Sequence, residues 1–152
     1  MKKPVSRGAS RSDAVNAGLQ DAGRGTSTGV SSWTTIVPEV PPSANELLRK
    51  YRHHAVFKKL RLYWGWMLIK AGAKNIPQAT DMRVLRIMQH RTRLIDRANC
   101  WLGADKLICD PLVKFKVLVD DSEKWVDIDV VQVKDTEEKT VIEISEVQWH
   151  KP

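Results

Sequence analysis

The sequence lacks any long apolar run, so none of it is expected to cross a membrane as a hydrophobic helix. No stretch approaches the roughly 18 consecutive apolar residues that a bilayer-spanning helix requires. Lys2 and Lys3 are not followed by an apolar segment, so we expect no secretory signal. Because 42% of the residues are hydrophobic and 28% are charged, the composition is that of an ordinary globular domain without a membrane partner.

Cysteine is almost absent, and the two cysteines are poorly spaced for a disulfide. Cys100 and Cys109 are nine residues apart in a predicted helix, on opposite sides and about 13 Å apart along the axis. A disulfide requires Cα atoms closer than about 7 Å. We therefore predict two buried free thiols in a protein of the reducing cytoplasm.

Large apolar residues are also scarce in the first 32 residues, which are rich in Gly, Ser, Ala, Arg and Thr. Such a stretch cannot bury enough apolar surface to offset the entropy that is lost on ordering. We predict a disordered basic tail over residues 1–32. The remaining residues, 33–152, are enough for one folded domain with a real core.

Charge is plentiful but unevenly spread along the chain, whose net charge is +7. Residues 33–119 carry sixteen basic and six acidic side chains, whereas residues 120–152 carry four basic and ten acidic ones. A basic region beside a carboxylate-rich one is typical of a protein that holds a polyanion such as nucleic acid. An ordinary solvated surface on a basic protein is the alternative.

Hydrophobic periodicity predicts four strands and two helices in the order β-α-β-α-β-β, without an internal repeat. The strands are expected over residues 33–40, 82–90, 125–133 and 140–147, and the helices over residues 55–71 and 97–113. The polar turn at residues 135–139 predicts that the last two strands pair as an antiparallel hairpin. The expected fold is a small α+β domain with a mixed sheet.

Acidic side chains occur at both ends of the second predicted helix. Asp120 and Asp121 follow the apolar residues 117–119, and Asp96 precedes the helix as its expected N-cap. Adjacent carboxylates near an apolar core repel each other and lose solvation, and a divalent cation offsets both costs. Since Mg²⁺ prefers oxygen ligands, we predict that Asp96, Asp120 and Asp121 meet around one Mg²⁺ ion.

Arginines cluster around the end of the second predicted strand. Arg91, Arg93 and Arg97 lie just before or after Asp96, where their guanidinium groups could hold phosphates. A solvated arginine-rich loop is the alternative. The aromatic residues Tyr63, Trp64 and Trp66 in the first predicted helix favour core or dimer packing over base stacking.

Three motifs, taken in this order, resemble those of the RusA-like Holliday-junction resolvases, a family common in phages and prophages. They are Pro41-Pro42-Ser43-x-Asn45 with Arg49 nearby, like the family's PPSxNxxxR; an arginine-rich run into Asp96-x-x-Asn99, like its RRxDxDN; and Lys106 and Asp110 followed by Asp120-Asp121, like its KxxxD…DD. The resemblance extends over about residues 33–147, which is everything except the basic tail and the last few residues.

The resemblance implies a Mg²⁺-dependent endodeoxyribonuclease that resolves four-way junctions by paired nicks in DNA recombination and repair. Asp96, Asp120 and Asp121 would hold the metal, and Lys106 would stabilise the transition state or position the phosphate. Six side chains would contact DNA: Asn45, Arg49, Arg91, Arg93, Arg97 and Asn99. The protein would act as a homodimer on branched DNA, in the cytoplasm of a bacterium or of a phage-infected host cell.

One position departs from the family's pattern in a way that bears on activity. Ala98 stands where the family's second aspartate is expected, which would weaken metal binding unless Asp105 or Asp110 substitutes for it. The alternative function is therefore a junction-binding protein of the same fold with weakened or absent catalysis. A third class is an α+β interaction module that does not bind DNA.

Overall fold

A single mixed sheet of four strands forms one layer of the protein, whose computed structural model describes residues 31–147. The strands are β1 (Ser32–Val37), β2 (Arg83–Arg91), β3 (Val126–Lys134) and β4 (Lys139–Glu146). Their order in the sheet is β1-β4-β2-β3, in which β4 runs antiparallel to β1 and β2 while β3 runs parallel to β2. This architecture confirms the predicted α+β class with a mixed sheet, whereas the predicted tail, residues 1–32, lies almost entirely outside the described residues.

Helices form the second layer. They are α1 (Ala44–Lys50), α2 (His54–Lys70), α3 (Arg97–Ala104) and α4 (Asp110–Lys114). A π-helical segment, Asp105–Cys109, joins α3 to α4 without a break, and a short 3₁₀ turn, Ala73–Asn75, follows α2. The two helices predicted from periodicity are confirmed to within about one residue at each end, whereas α1 was not among the predicted helices.

The ends of the helices follow from local chemistry. The Ser43 side chain accepts a hydrogen bond of 3.1 Å from the N–H of Glu46 and caps α1. Gly72, with φ of 96°, takes the left-handed conformation that follows α2. Pro111 lies late in the helical segment, where a proline usually ends or kinks a helix, but the helix runs on to Lys114. The widened π turn directly before Pro111 accommodates the missing N–H of the proline ring.

The core lies between one face of the sheet and the helices. On β2 and β4 alternate residues are buried, as a strand with one covered face requires. The helical layer contributes large side chains from α2 and from the continuous segment 97–114. The largest buried apolar side chains are Trp64, Leu68, Leu85, Ile87, Leu107, Ile108, Leu112, Leu118, Ile142 and Ile144. Both cysteines are buried and free, as predicted.

The predicted hairpin between the last two strands is wrong. β3 and β4 lie on opposite edges of β2, and the short turn between them passes the end of that strand. β2 can be central because its buried Leu85 and Ile87 face the core and its backbone pairs on both sides. β3 carries the exposed Asp127 and Asp129, and charged side chains suit a strand at the edge of a sheet.

Candidate functional site

The first motif of the sequence, Pro41-Pro42-Ser43, is held tightly against α3. The carbonyl oxygen of Pro42 is so close to Gly103 that a Cβ atom there would lie only 2.2 Å from it. The carbonyl oxygen of Pro41 accepts a hydrogen bond of 2.7 Å from Nη2 of Arg91. This motif therefore fixes the loop after β1 and the start of α1 to the end of β2.

Arg91, predicted to contact DNA, is instead a buried structural residue. Its side chain is 6% exposed, and its Nε and Nη2 atoms donate to the side-chain oxygen of Gln89 at 3.0 and 2.6 Å. Gln89 in turn donates to the carbonyl oxygen of Cys100 in α3. Because Nε and Nη2 of Arg91 are bonded to acceptors inside the protein, its guanidinium is engaged in the fold rather than presented to a phosphate.

The remaining predicted DNA contacts lie on elements around the C-terminal end of β2, a region that we call the basic end. α1 packs against α3. Arg49 on α1, Arg93 in the loop after β2 and Arg97 at the start of α3 are all exposed. Asn45 on α1 is exposed as well, and Asn99 is half-buried. Five of the six predicted DNA-contacting side chains are thus accessible on neighbouring elements.

Asp96 also belongs to the basic end. It occupies the N-cap position of α3, as predicted, but its carboxylate accepts no capping hydrogen bond from the helix backbone. Its Oδ2 atom accepts a bond of 3.4 Å from the side-chain amide of Asn99. The side chain of Gln132 holds the preceding residue by two hydrogen bonds to the backbone of Ile95, of 3.0 and 2.7 Å.

Asp120 and Asp121 lie in the loop of residues 119–125, which we call the carboxylate loop. This loop is at the opposite end of the strands, where β2 and β3 begin. Arg83, at the start of β2, anchors both ends of this loop. Its Nη1 donates to the carbonyl oxygen of Val117 at 2.8 Å, and its backbone N–H donates to that of Trp125 at 3.1 Å. The two aspartates are exposed on a loop whose ends are fixed by a buried guanidinium.

Asp105, in the helical segment beside the carboxylate loop, interacts electrostatically with both Asp110 and Asp121. Burial raises the pKa of Asp105 above its usual value, and the negative charges of Asp110 and Asp121 raise that pKa further. The neighbouring ammonium of Lys106 opposes the increase. Asp105, Asp110, Asp121 and Lys106 therefore form one charged group, which we call the acidic edge.

The structure does not bring Asp96 together with Asp120 and Asp121, so the predicted three-carboxylate centre is not assembled within one chain. Gln132, which holds the residue before Asp96, lies six residues along β3 from Val126, where the carboxylate loop ends. Six residues of strand span about 20 Å. Two ligands of one Mg²⁺ ion lie within about 4 Å of each other. The helical segment 97–114 runs antiparallel to β2 and β3. Asp96 precedes this segment and the carboxylate loop follows it, so the two lie at opposite ends of the strands.

The acidic edge has the donors for a smaller metal site. Within residues 31–147, no three His, Cys, Asp or Glu side chains converge closely enough to hold an ion by themselves. Mg²⁺ is commonly held by only one or two carboxylates, with water and a substrate phosphate as the other ligands. Asp121 with Asp105 or Asp110 supplies these hard oxygen donors, and the repulsion that Asp110 and Asp121 exert on the Asp105 carboxylate is a cost that a cation offsets.

No protein-family model matches this chain, and no curated protein matches it. Of the helices in residues 31–147, none is both long and apolar enough to cross a membrane.

One face of the helical segment connects the two ends of the molecule, and we call it the exposed stripe because Arg97 and Trp101 are exposed along it, while Asp105 at its far end is half-buried. Arg97, Trp101 and Asp105 are spaced by four residues each and so lie along one face, with about 12 Å of axial rise from first to last. Trp101 is 39% exposed. Sequence reasoning missed Trp101 and named Asp105 only as a substitute ligand, although the i, i+4 spacing after Arg97 was a signal that could have found both.

Proposed function

We propose that this protein is a Mg²⁺-dependent endonuclease that acts on branched DNA, with the acidic edge as its catalytic site. The observation that carries the proposal is spatial: Lys106 and Asp110 on the helical segment and Asp121 on the carboxylate loop all lie near the half-buried carboxylate of Asp105. Three of these four residues belong to the motif Lys-x-x-x-Asp followed by Asp-Asp, which resembles that of the RusA-like resolvases. The group therefore combines carboxylates and an ammonium that suit a phosphodiester substrate, and most of its residues belong to that motif.

Each residue of the acidic edge has a role in this proposal. Asp121, together with Asp105 or Asp110, would hold Mg²⁺, and exposed Asp120 would orient water around the ion. The bound metal would supply Lewis acidity and lower the pKa of a water molecule. Lys106 would position the scissile phosphate and stabilise negative charge that develops on it. Asp96, at the other end of the molecule, has no part in this metal site.

The basic end would bind the DNA that leads to the acidic edge. Arg49, Arg93 and Arg97 would contact phosphates, which provide affinity without base specificity. Trp101 lies between Arg97 and Asp105 on the exposed stripe, where its ring could stack on an unpaired base near a branch point. A homodimer would pair two such surfaces on a two-fold symmetric four-way junction.

Cleavage of a synthetic four-way junction in Mg²⁺ tests the proposed activity. We expect paired nicks that disappear in EDTA, and loss of nicking in Asp121→Asn, which removes a metal donor. The matched control is Glu137→Gln, which removes an equally exposed carboxylate from the turn at the basic end. Nicking by Asp121→Asn at the normal rate would remove the acidic edge from the mechanism.

A second candidate is a junction-binding protein without catalysis, and two observations favour it. Asp96 lies near the C-terminal end of β2, whereas Asp120 and Asp121 lie near the end where β2 and β3 begin. In addition, Ala98 stands where the resolvase motif has its second aspartate. In this case a gel-shift assay would show salt-dependent retention of the four-way junction, while no nicks would form at any Mg²⁺ concentration.

A further inference from the structure

A groove between α2 and the end of the helical segment has no role in the proposed nuclease. It encloses about 400 Å³. Its apolar lining includes Phe57, Leu62, Trp66, Ile69 and Phe115. Leu62 is 61% exposed and Trp66 is 57% exposed, so large apolar side chains face solvent in a concave surface. Such an apolar concavity on a folded domain is typical of a binding site.

The polar residues of the groove carry charge of one sign. Lys58, Arg61 and Lys114 line it together with His54, and no acidic side chain does. The guanidinium of Arg61 is partly engaged with Asp110, at 3.4 Å, whereas Lys58 and Lys114 are exposed on either side. An occupant that places carboxylates at the rim and apolar side chains inside would therefore be complementary in both respects.

Nucleic acid fits this groove poorly, although its rim is basic. The ammonium of Lys70 lies 5.2 Å from the ring centroid of Trp66, so a cation already covers one face of the exposed indole. Of the two phenylalanine rings in the lining, Phe115 has the ammonium of Lys74 5.4 Å from its ring centroid, and Phe57 is half-buried. Phosphates bind to surfaces rich in arginine and backbone N–H groups, rather than to an apolar concavity.

The chain's own residues are also unsuitable occupants. A two-fold interface between two copies would bring the cationic rims together, and like charges in contact oppose association. The first 30 residues carry five basic and two acidic side chains, so they too have the wrong sign of charge. These arguments disfavour a two-fold self-interface and the basic first 30 residues, and we assign the groove to a segment of another protein.

We propose that the groove between α2 and α4 binds a peptide segment of a partner protein in which aliphatic or aromatic residues alternate with carboxylates. The apolar side chains of the segment would cover Leu62 and Trp66, and its carboxylates would pair with Lys58 and Lys114. The proposal does not rest on nuclease activity, because no residue of the acidic edge or the basic end lines the groove, and the ion pair of Asp110 with Arg61 at 3.4 Å is the contact that joins the acidic edge to the lining.

Fluorescence polarisation with labelled peptides tests the proposal on the full chain. The probe is the peptide Asp-Leu-Asp-Asp-Phe-Leu-Asp, and two control peptides replace every aspartate by lysine or every apolar residue by serine. We expect saturable binding of the probe that weakens as salt is raised, and no saturable binding of either control. Absence of probe binding, or equal binding of the lysine peptide, would overturn the proposal.

Matched variants assign the binding to the groove. Lys58→Glu should weaken probe binding by about fivefold, whereas Lys59→Glu, the adjacent exposed lysine outside the lining, should leave it unchanged. Leu62→Ser should weaken it by about tenfold, whereas Leu48→Ser, an equally exposed leucine on α1, should not. Circular dichroism verifies that each variant is folded.

Two other measurements decide between classes of occupant. If Leu62→Ser lowers the sedimentation coefficient of the protein in the absence of peptide, the groove is an interface between copies of this chain. If Lys58→Glu weakens four-way-junction binding as strongly as peptide binding, the groove belongs to the DNA surface. Either result overturns the proposal of a protein partner, whereas unchanged sedimentation and junction binding support it.

Discussion

At the scale of single residues, the structure assigns different roles to residue types that look alike in the sequence. Arg91 and Arg93 are two positions apart on the chain, yet Arg91 is buried among hydrogen-bond acceptors and Arg93 is exposed. Successive residues of a strand point to opposite faces, and β2 ends at Arg91. Arg93 lies in the loop beyond the strand, where its side chain is exposed to solvent.

Gly103 and Gly65 provide a matched pair that tests the packing of the helical layer. A Cβ atom at Gly103 would meet the carbonyl oxygen of Pro42 at 2.2 Å, so Gly103→Ala should destabilise the protein by about 2–3 kcal/mol. At Gly65 the nearest heavy atom would be Cζ of Phe115 at 3.8 Å, so Gly65→Ala should stabilise α2 by about 0.5–1 kcal/mol. Urea denaturation of both variants measures the difference, and equal stabilities would contradict the close contact.

Asp105 should make stability depend on pH. Burial and the nearby Asp110 and Asp121 raise its pKa above the usual 3.8, so its charged form destabilises the folded state. This penalty is absent below the usual pKa and grows as pH rises through the raised pKa. Asp105→Asn in EDTA should therefore raise the Tm at pH 7, and the gain should vanish as pH falls towards 3.8. Asp127→Asn, an exposed carboxylate on β3, is the control, and an identical Tm gain in it would contradict this origin.

At the scale of elements, the end of β2 connects three parts of the fold. Gln89 and Arg91 link β2 to the loop after β1 and to the backbone of α3. The paired side chains replace the water that these buried polar groups would otherwise bind. The exposed residues of the basic end thus depend for their arrangement on a buried polar network directly beneath them.

Arg91→Met tests this network against the role predicted from the sequence. The substitution keeps the length of the side chain but leaves the Pro41 carbonyl and the Gln89 side chain without their partner, which should cost about 2–4 kcal/mol of stability. Arg93→Met should change stability by less than about 0.5 kcal/mol while it lowers the salt dependence of junction binding by about one unit of slope. The reverse assignment of the two effects would restore Arg91 as a DNA contact.

At the scale of the whole molecule, the sheet topology separates two kinds of charge. The basic end and the acidic edge lie at opposite ends of the parallel pair β2 and β3, and the helical segment 97–114 runs between them. A substrate that spans both ends would follow the exposed stripe of Arg97, Trp101 and Asp105. A polyanion held at the basic end would then reach carboxylates that a metal must neutralise.

Thermal unfolding with added Mg²⁺ decides which carboxylates hold the ion. At a Mg²⁺ concentration of ten times the Kd, binding should stabilise the folded protein by about 1.4 kcal/mol and raise the Tm. Asp121→Asn should abolish this increase, whereas Asp96→Asn should retain it, because Asp96 lies at the other end of the helical segment. A Tm increase that is lost in Asp96→Asn would instead support the three-carboxylate centre expected from the sequence.

The sequence by itself determined the strands, the long helices, the free cysteines and the α+β class. These depend on local periodicity, capping and spacing, which act over a few residues. The helix over residues 55–71 could be predicted in this way, to within about one residue at each end.

Only the tertiary structure decided which strands pair and which charged residues meet. β3 and β4 are neighbours on the chain, yet β2 lies between them, because strand order depends on which strand can be buried on both edges. The course of the helical segment likewise decides that Asp121 lies near Asp105 rather than near Asp96. The helical segment 97–114 is about 27 Å long and runs antiparallel to the strands that it connects, so the spacing of these carboxylates in the sequence does not give their separation in space.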